Sequence, residues 1–231
     1  GSEMCIRDRR RNVAKLPHGV RGVCGDLFDA RIPVQWPESR IDYLVYCATP
    51  TARDEAGYRA AYVQGLRHVL GWTERSGQKP KRVLFVSSSS VYGQQEGEWV
   101  DETSPAEADG FSGRVMREAE QVALNSGLPA SIVRLTGIYG PGRSDLMNRV
   151  RQGYSVAVDP PLYGNRIHAD DAAGLLAFLL QADAKGQALE DCYLGVDDAP
   201  VPLADVVDWM RTRLNVTQWS DENNVRPVSY T

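Results

Sequence analysis

Four consecutive serines, Ser87 to Ser90, follow the apolar run RVLFV at residues 82–86 and lead into Val91, Tyr92 and Gly93. A hydroxyl that leaves water needs a hydrogen-bond partner, so such a run is costly as mere core. At the carboxyl edge of a parallel sheet, where ligands bind, it has a use. A second group of chemical side chains is His168 with Asp170 and Asp171. As a base or metal ligand, His168 would need companions, and no other histidine or cysteine stands at ligand spacing. The two aspartates fall where a helix begins, and there carboxylates cap the helix and oppose its dipole. The four cysteines are scattered without a CxxC pair, so the sequence indicates neither a zinc site nor a disulfide framework.

These residues need elements to hold them. With 42% hydrophobic and 24% charged residues in a chain of 231, the composition is that of one soluble globular domain able to bury a core. A net charge of −4 without a recurring basic stripe argues against nucleic acid as a partner. The longest aliphatic run, Leu175 to Leu180, is far short of the roughly 18 to 20 residues that cross a bilayer, so no membrane role is expected. Free cysteines fit a reducing cytoplasm.

From Arg10 onward, short runs rich in β-branched residues alternate with longer helical patterns, which predicts βαβ units and a parallel sheet. Strands are expected at 19–27, 41–50, 81–93, 130–143 and 191–196, and helices at 54–77, 114–127, 168–182 and 202–214. A doubly wound dinucleotide fold opens with a strand, a glycine-rich turn and a helix whose N-terminus holds the pyrophosphate. No such glycine turn is read anywhere in the chain. The opening GSEMCIRDRRRNV reads as neither helix nor strand, and Glu3 to Arg9 resembles the translation of a transposon-type sequencing adapter. On that reading residues 1–9 are non-native or disordered, the first strand and its loop are missing, and Arg9 to Asn12 is the tail of the second strand. The alternative is a disordered basic tail. The last residues, from Ser220, show no periodicity and are expected to fray.

KRVLFVSSSSVYG (81–93) resembles the "SSxxVYG" strand of the extended short-chain dehydrogenases, the NAD-dependent epimerase/dehydratase superfamily. Three further segments are similar to that family in the right order: RLTGIYGPG (134–142), NRIHADDAA (165–173) and YLGVDDAPVPLADVVDWM (193–210). The resemblance implies an α/β fold, a Rossmann-type doubly wound parallel sheet lacking its first strand and glycine-rich loop. It implies a single NAD(P)-binding domain over 10–231, with a small substrate lobe drawn from about 143–165 and 193–231. Ser88 matches the catalytic serine that hydrogen-bonds the oxygen being oxidised or reduced. Asp26 and Leu27 match the adenine contact, Ala48 and Thr49 the turn under the cofactor, and Ser87, Leu135 and Gly137 positions beside the nicotinamide. Arg10 and Arg11 would end the second strand, where paired guanidiniums hold a 2′-phosphate, so NADP is favoured over NAD. A small-molecule substrate and a homodimer complete the implied partners.

The chain departs from the family at its proton-transfer pair. Where the family has a tyrosine and, one helical turn on, a lysine, this sequence has Ser112 and Met116. Arg114 and Arg117 stay protonated and cannot shuttle protons. Tyr62 stands where the family's supporting asparagine would be. The resemblance is therefore to atypical, epimerase-like members with SGRVM in place of YxxxK. Two readings follow: an oxidoreductase with Ser88 at its centre and a proton from Tyr92, Tyr139 or Tyr58, or a non-catalytic sensor or scaffold that binds NADP(H).

Overall fold

A computed structural model describes residues 3–7, 20–94 and 96–220. The chain divides into two compact units, Gly1–Val86 with Gly110–Ile132, and Ser87–Asp109 with Val133–Thr231.

In the first unit, β1 (Glu3–Arg7) pairs in parallel with β2 (Val20–Cys24), and β3 (Tyr43–Tyr46) pairs in parallel with β4 (Arg82–Ser88). β5 (Ala130–Leu135) lies on the far side of β4. Val83, Leu84 and Phe85 are fully buried, which is why this strand reads as an unbroken apolar run and not an alternating one. The expected helix over 54–77 is one helical stretch in three parts: α1 (Glu55–Tyr58), a π turn (Arg59–Gln64) and α2 (Gly65–Arg75). Asp54 caps it, accepting the Gly57 amide at 2.7 Å. Within the π turn the Ala61 carbonyl accepts from the buried Tyr46 hydroxyl. α3 (Phe111–Leu124) begins three residues before its expected start, after Gly110.

In the second unit, the end of β5 lies beside β9 (Cys192–Gly195), with Thr136 donating from both its amide and its hydroxyl to the Gly195 carbonyl at 3.1 Å. The expected strand over 130–143 is broken at Thr136, and its second piece, β6 (Gly137–Tyr139), pairs in parallel with β8 (Arg166–His168). β7 (Tyr163–Gly164) and β10 (Val201–Pro202) form a short antiparallel pair. α5 (Ala169–Ala184) and α6 (Leu203–Leu214) lie where sequence periodicity puts them. α4 (Asp145–Arg151) is not foreseen, because seven residues are too few to show a helical period. Its Val150 packs into a core with Leu203 and Val207 of α6. The segments expected to supply a substrate lobe, 143–165 and 193–220, both belong to this unit.

The fold is the expected α/β Rossmann type. Among the described residues β1-β2 and β3-β4-β5-β9 are separate sheets. Two details of the sequence reading are corrected. Residues 3–7 are a strand and not patternless, since pairing with β2 satisfies backbone groups whatever the periodicity of so short a segment. The spacing G-x-x-G-x-x-G does occur, at Gly19, Gly22 and Gly25, but Gly22 lies inside β2 and the run opens no helix, so it forms no phosphate turn. Arg9 to Asn12, and residues 221–231, lie outside the described residues.

Candidate functional site

The expected site residues fall in both units, and each set is described by itself. In the first, β2 runs out into a turn in which Asp26 Oδ1 accepts the Phe28 amide at 3.1 Å and the Asp26 carbonyl accepts the Asp29 amide at 2.9 Å. Asp26 and Leu27 are half-buried there. The side-chain and backbone hydrogen bonds of Arg31 hold the half-buried Asp29 carboxyl down at about 2. β3 is followed by Cys47, half-buried Ala48 and exposed Thr49. Arg10 and Arg11, the expected 2′-phosphate contacts, lie outside the described residues.

The positions expected to replace the proton-transfer pair, Ser112 and Met116, are on α3. Ser112 is half-buried, and Met116 is an apolar side chain only 3% exposed. Arg117 is engaged at 2.9 Å by the fully buried Glu120 carboxylate. Arg59 bridges from the helical stretch to Glu118 at 2.7 Å and to Glu55 at 3.4 Å. Tyr62 and Phe111 both meet the Tyr58 ring edge-on, with centroids 5.3 and 5.4 Å away. Burial, then the neighbouring Tyr58 hydroxyl, pushes the Tyr62 hydroxyl well above the ordinary phenol range.

In the second unit, Ser87 is buried and Ser88 is half-buried. Ser88 caps a 3-10 turn (Ser89–Val91), its Oγ accepting the Ser90 amide at 3.1 Å. That fixes the oxygen through one lone pair and leaves the O–H as a donor. Ser90 Oγ and Gln94 Oε1 are buried with no hydrogen-bond partner among the described residues. Tyr92, one of the suggested proton sources, is committed: its hydroxyl donates to the Asp101 carbonyl at 2.8 Å and accepts from Arg134 at 3.0 Å. Burial raises its pKa against the opposing pull of Arg134. Tyr58 is buried, and Tyr139 is exposed with its ring edge-on to His168 at 5.2 Å. His168 Nδ1 accepts the Asp170 amide at 3.2 Å, so the histidine caps α5, with Asp170 and Asp171 in the first turn. Leu135 is buried at the end of β5, and Gly137 donates its amide to the Asn165 carbonyl at 3.1 Å.

The loop after Ser88 is clamped to residues 101–108. Besides the Tyr92 bond, the Ala108 amide donates to the Val91 carbonyl at 3.1 Å and Gln94 Nε2 to the Pro105 carbonyl at 3.3 Å. A Cβ at Gly93 would stand 2.7 Å from the Glu107 carbonyl oxygen. Gly93→Ala is therefore expected to cost about 1–3 kcal/mol in chemical denaturation. A variant as stable as the parent would show that the clamp can yield.

The model of the NAD dependent epimerase/dehydratase family matches residues 1–195 of the chain. The chain belongs to this family. A solved epimerase/dehydratase-family structure, assigned as NAD-dependent, from Methylobacillus flagellatus is 31% identical with a TM-score of 0.72, covering 94% of this chain and 74% of that one. Escherichia coli K12 protein YeeZ is 38% identical over 112 residues, 48% of this chain and 39% of YeeZ. The chain thus matches about two fifths of the length of its curated relatives. A UDP-galactose 4-epimerase, 16% identical with a TM-score of 0.71, covers 93% of this chain and 75% of its own. MoeE5, solved with UDP-glucuronic acid and NAD, is 21% identical with a TM-score of 0.70, covering 92% and 74%. These last two share the epimerase/dehydratase fold. No group of three or more histidine, cysteine, aspartate or glutamate side chains among the described residues could hold a metal, and no described helix is long and apolar enough to cross a membrane.

What the sequence reading missed in the site are the unpartnered oxygens of Ser90 and Gln94 and the engagement of Tyr92. Both depend on the loop at 101–108 folding back, which leaves no local signal.

Proposed function

We propose that the protein binds NAD or NADP and acts on a small molecule bearing a hydroxyl or carbonyl, with Ser88 holding the reacting oxygen and without the family's tyrosine and lysine. The observation that carries this is the Ser88 hydroxyl, fixed by the Ser90 amide at 3.1 Å with its proton left to donate. Asp26, Leu27, Ala48 and Thr49 would meet the adenosine end of the cofactor, and Ser87, Leu135 and Gly137 the nicotinamide end. Among the described residues no glycine turn opens a helix for the pyrophosphate. Arg10 and Arg11 would favour NADP through its 2′-phosphate. Bound, the nicotinamide supplies hydride exchange; the chain supplies binding and the Ser88 hydrogen bond. Sugar nucleotides are the leading substrate class, because MoeE5 is solved with one. Residues 143–165 and 193–231 would form the substrate lobe of a single domain over 10–231. The protein would be a cytoplasmic homodimer, with nucleic acid not among its partners.

A sensor or scaffold that binds NADP(H) without turnover is the second reading, favoured by the closed, apolar Met116 at the lysine position. Calorimetric titration with NADPH and NADH, then a screen for cofactor turnover with UDP-sugars and small carbonyl compounds, separates the two. Turnover is expected, and Ser88→Ala should lower it on the order of 10²-fold, as removal of one donor from a developing oxyanion does. Binding without turnover supports the sensor, and unchanged turnover in Ser88→Ala ends the role given to that serine.

A further inference from the structure

The turn after β2 is held from outside itself. Gly65, His68, Trp72 and Arg75 recur at spacings of three, four and three, and so share one face of α2. His68 Nδ1 lies 2.6 Å from the Leu27 carbonyl oxygen. A carbonyl has no proton to give, so Nδ1 carries it and donates. Four residues on, Trp72 Nε1 donates to the Ala30 carbonyl at 3.0 Å, and Arg75 Nη2 donates to the same oxygen at 2.6 Å. A Cβ at Gly65 would stand 3.3 Å from the Leu27 Cβ and 2.5 Å from the Tyr46 hydroxyl, so the glycine lets the helix come this close to the turn. The turn's own bonds, at Phe28 and Asp29, fix its shape, whereas the bonds from α2 fix where it stands.

We infer that this face of α2 positions the Asp26–Leu27 turn for the adenine ring, with His68 the positioning residue nearest the contact. The inference rests on the reading that Asp26 and Leu27 meet the adenosine end of the cofactor. His68 touches no ligand; its bond to the Leu27 carbonyl sets where the turn presents its polar groups. Loss of that one bond should therefore weaken adenine-bearing ligands and leave the fold standing.

The test uses the whole chain and ADP-ribose as probe, with wild type, His68→Leu and His68→Asn compared by calorimetry, thermal midpoint and amide hydrogen exchange over residues 26–31. Leucine fills the space without a donor; asparagine places an amide N–H near the Nδ1 position. His68→Leu should bind ADP-ribose roughly 10-fold more weakly, exchange its 26–31 amides faster and melt within a few degrees of wild type. His68→Asn should recover most of the affinity. Equal affinity in wild type and His68→Leu overturns the inference and leaves the cofactor reading intact. Weaker binding that asparagine does not rescue, or that comes with a collapsed midpoint, makes His68 a packing residue and also overturns it. If wild type itself does not bind ADP-ribose, the adenosine reading falls and the inference with it.

Discussion

Replacing Trp72 with alanine should remove about 3–5 kcal/mol of stability in urea or guanidinium denaturation. The side chain is 0% exposed, meets the Trp36 ring edge-on at 5.6 Å and spends its indole N–H on the Ala30 carbonyl. Truncation would leave a cavity and withdraw one of the two donors to that oxygen. Trp72→Phe keeps most of the volume and loses only the N–H; because Arg75 still donates to the Ala30 carbonyl, the cost should fall to about 1 kcal/mol. The Trp36 indole, which donates to the Ser76 hydroxyl at 3.0 Å, would lose its aromatic neighbour in the alanine variant alone. A loss below 1 kcal/mol for Trp72→Ala would mean that the first unit repacks around the gap.

Met116→Lys would put an ammonium at the expected lysine position, which is only 3% exposed in this chain. A buried ammonium titrates about three units below its unfolded pKa, which is roughly 4 kcal/mol of destabilisation at neutral pH. The sign follows from proton counting. Between the lowered folded pKa and about 10.4 the unfolded chain binds more protons, so stability should rise with pH through that window and match the parent above it. Met116→Leu, which keeps the volume, should cost less than about 1.5 kcal/mol at every pH. Denaturation of both variants between pH 6 and 11 checks this. A lysine variant as stable as the parent at pH 7, with no slope, would show that position 116 opens onto solvent or ligand, and the double variant Ser112→Tyr/Met116→Lys would then be a candidate for recovered proton transfer.

These two variants bear on the functional choice in different ways. The tryptophan supports the turn expected to meet adenosine, so its loss should weaken any adenine ligand through the fold. The methionine concerns chemistry: a closed apolar side chain there would leave the proposed centre to Ser88, with Tyr92 already spent on Asp101 and Arg134.

Much of this was legible in the residues themselves. The unbroken apolar run at 82–86 followed by serines marks a buried strand whose end leaves the core, and β4 with the Ser88 cap is that strand. Helical periods of a dozen residues or more marked α2, α3, α5 and α6, since an amphipathic face repeats often enough to be counted. Elements of two to seven residues, such as β1, β7, β10 and α4, cannot repeat, and each exists because a partner strand or helix satisfies it.

The sequence by itself determined the family likeness and the alternation of the longer strands and helices, because these reside in residue types and their spacing along the chain. Tertiary structure alone decided how Ser88 is held, that Tyr92 has no free hydroxyl to offer, and that His68, Trp72 and Arg75 hold a turn some forty residues upstream. The physical reason is the same in each case. The partners are backbone carbonyls and amides, which every residue carries, so only the folded path of the chain says which of them a side chain will meet.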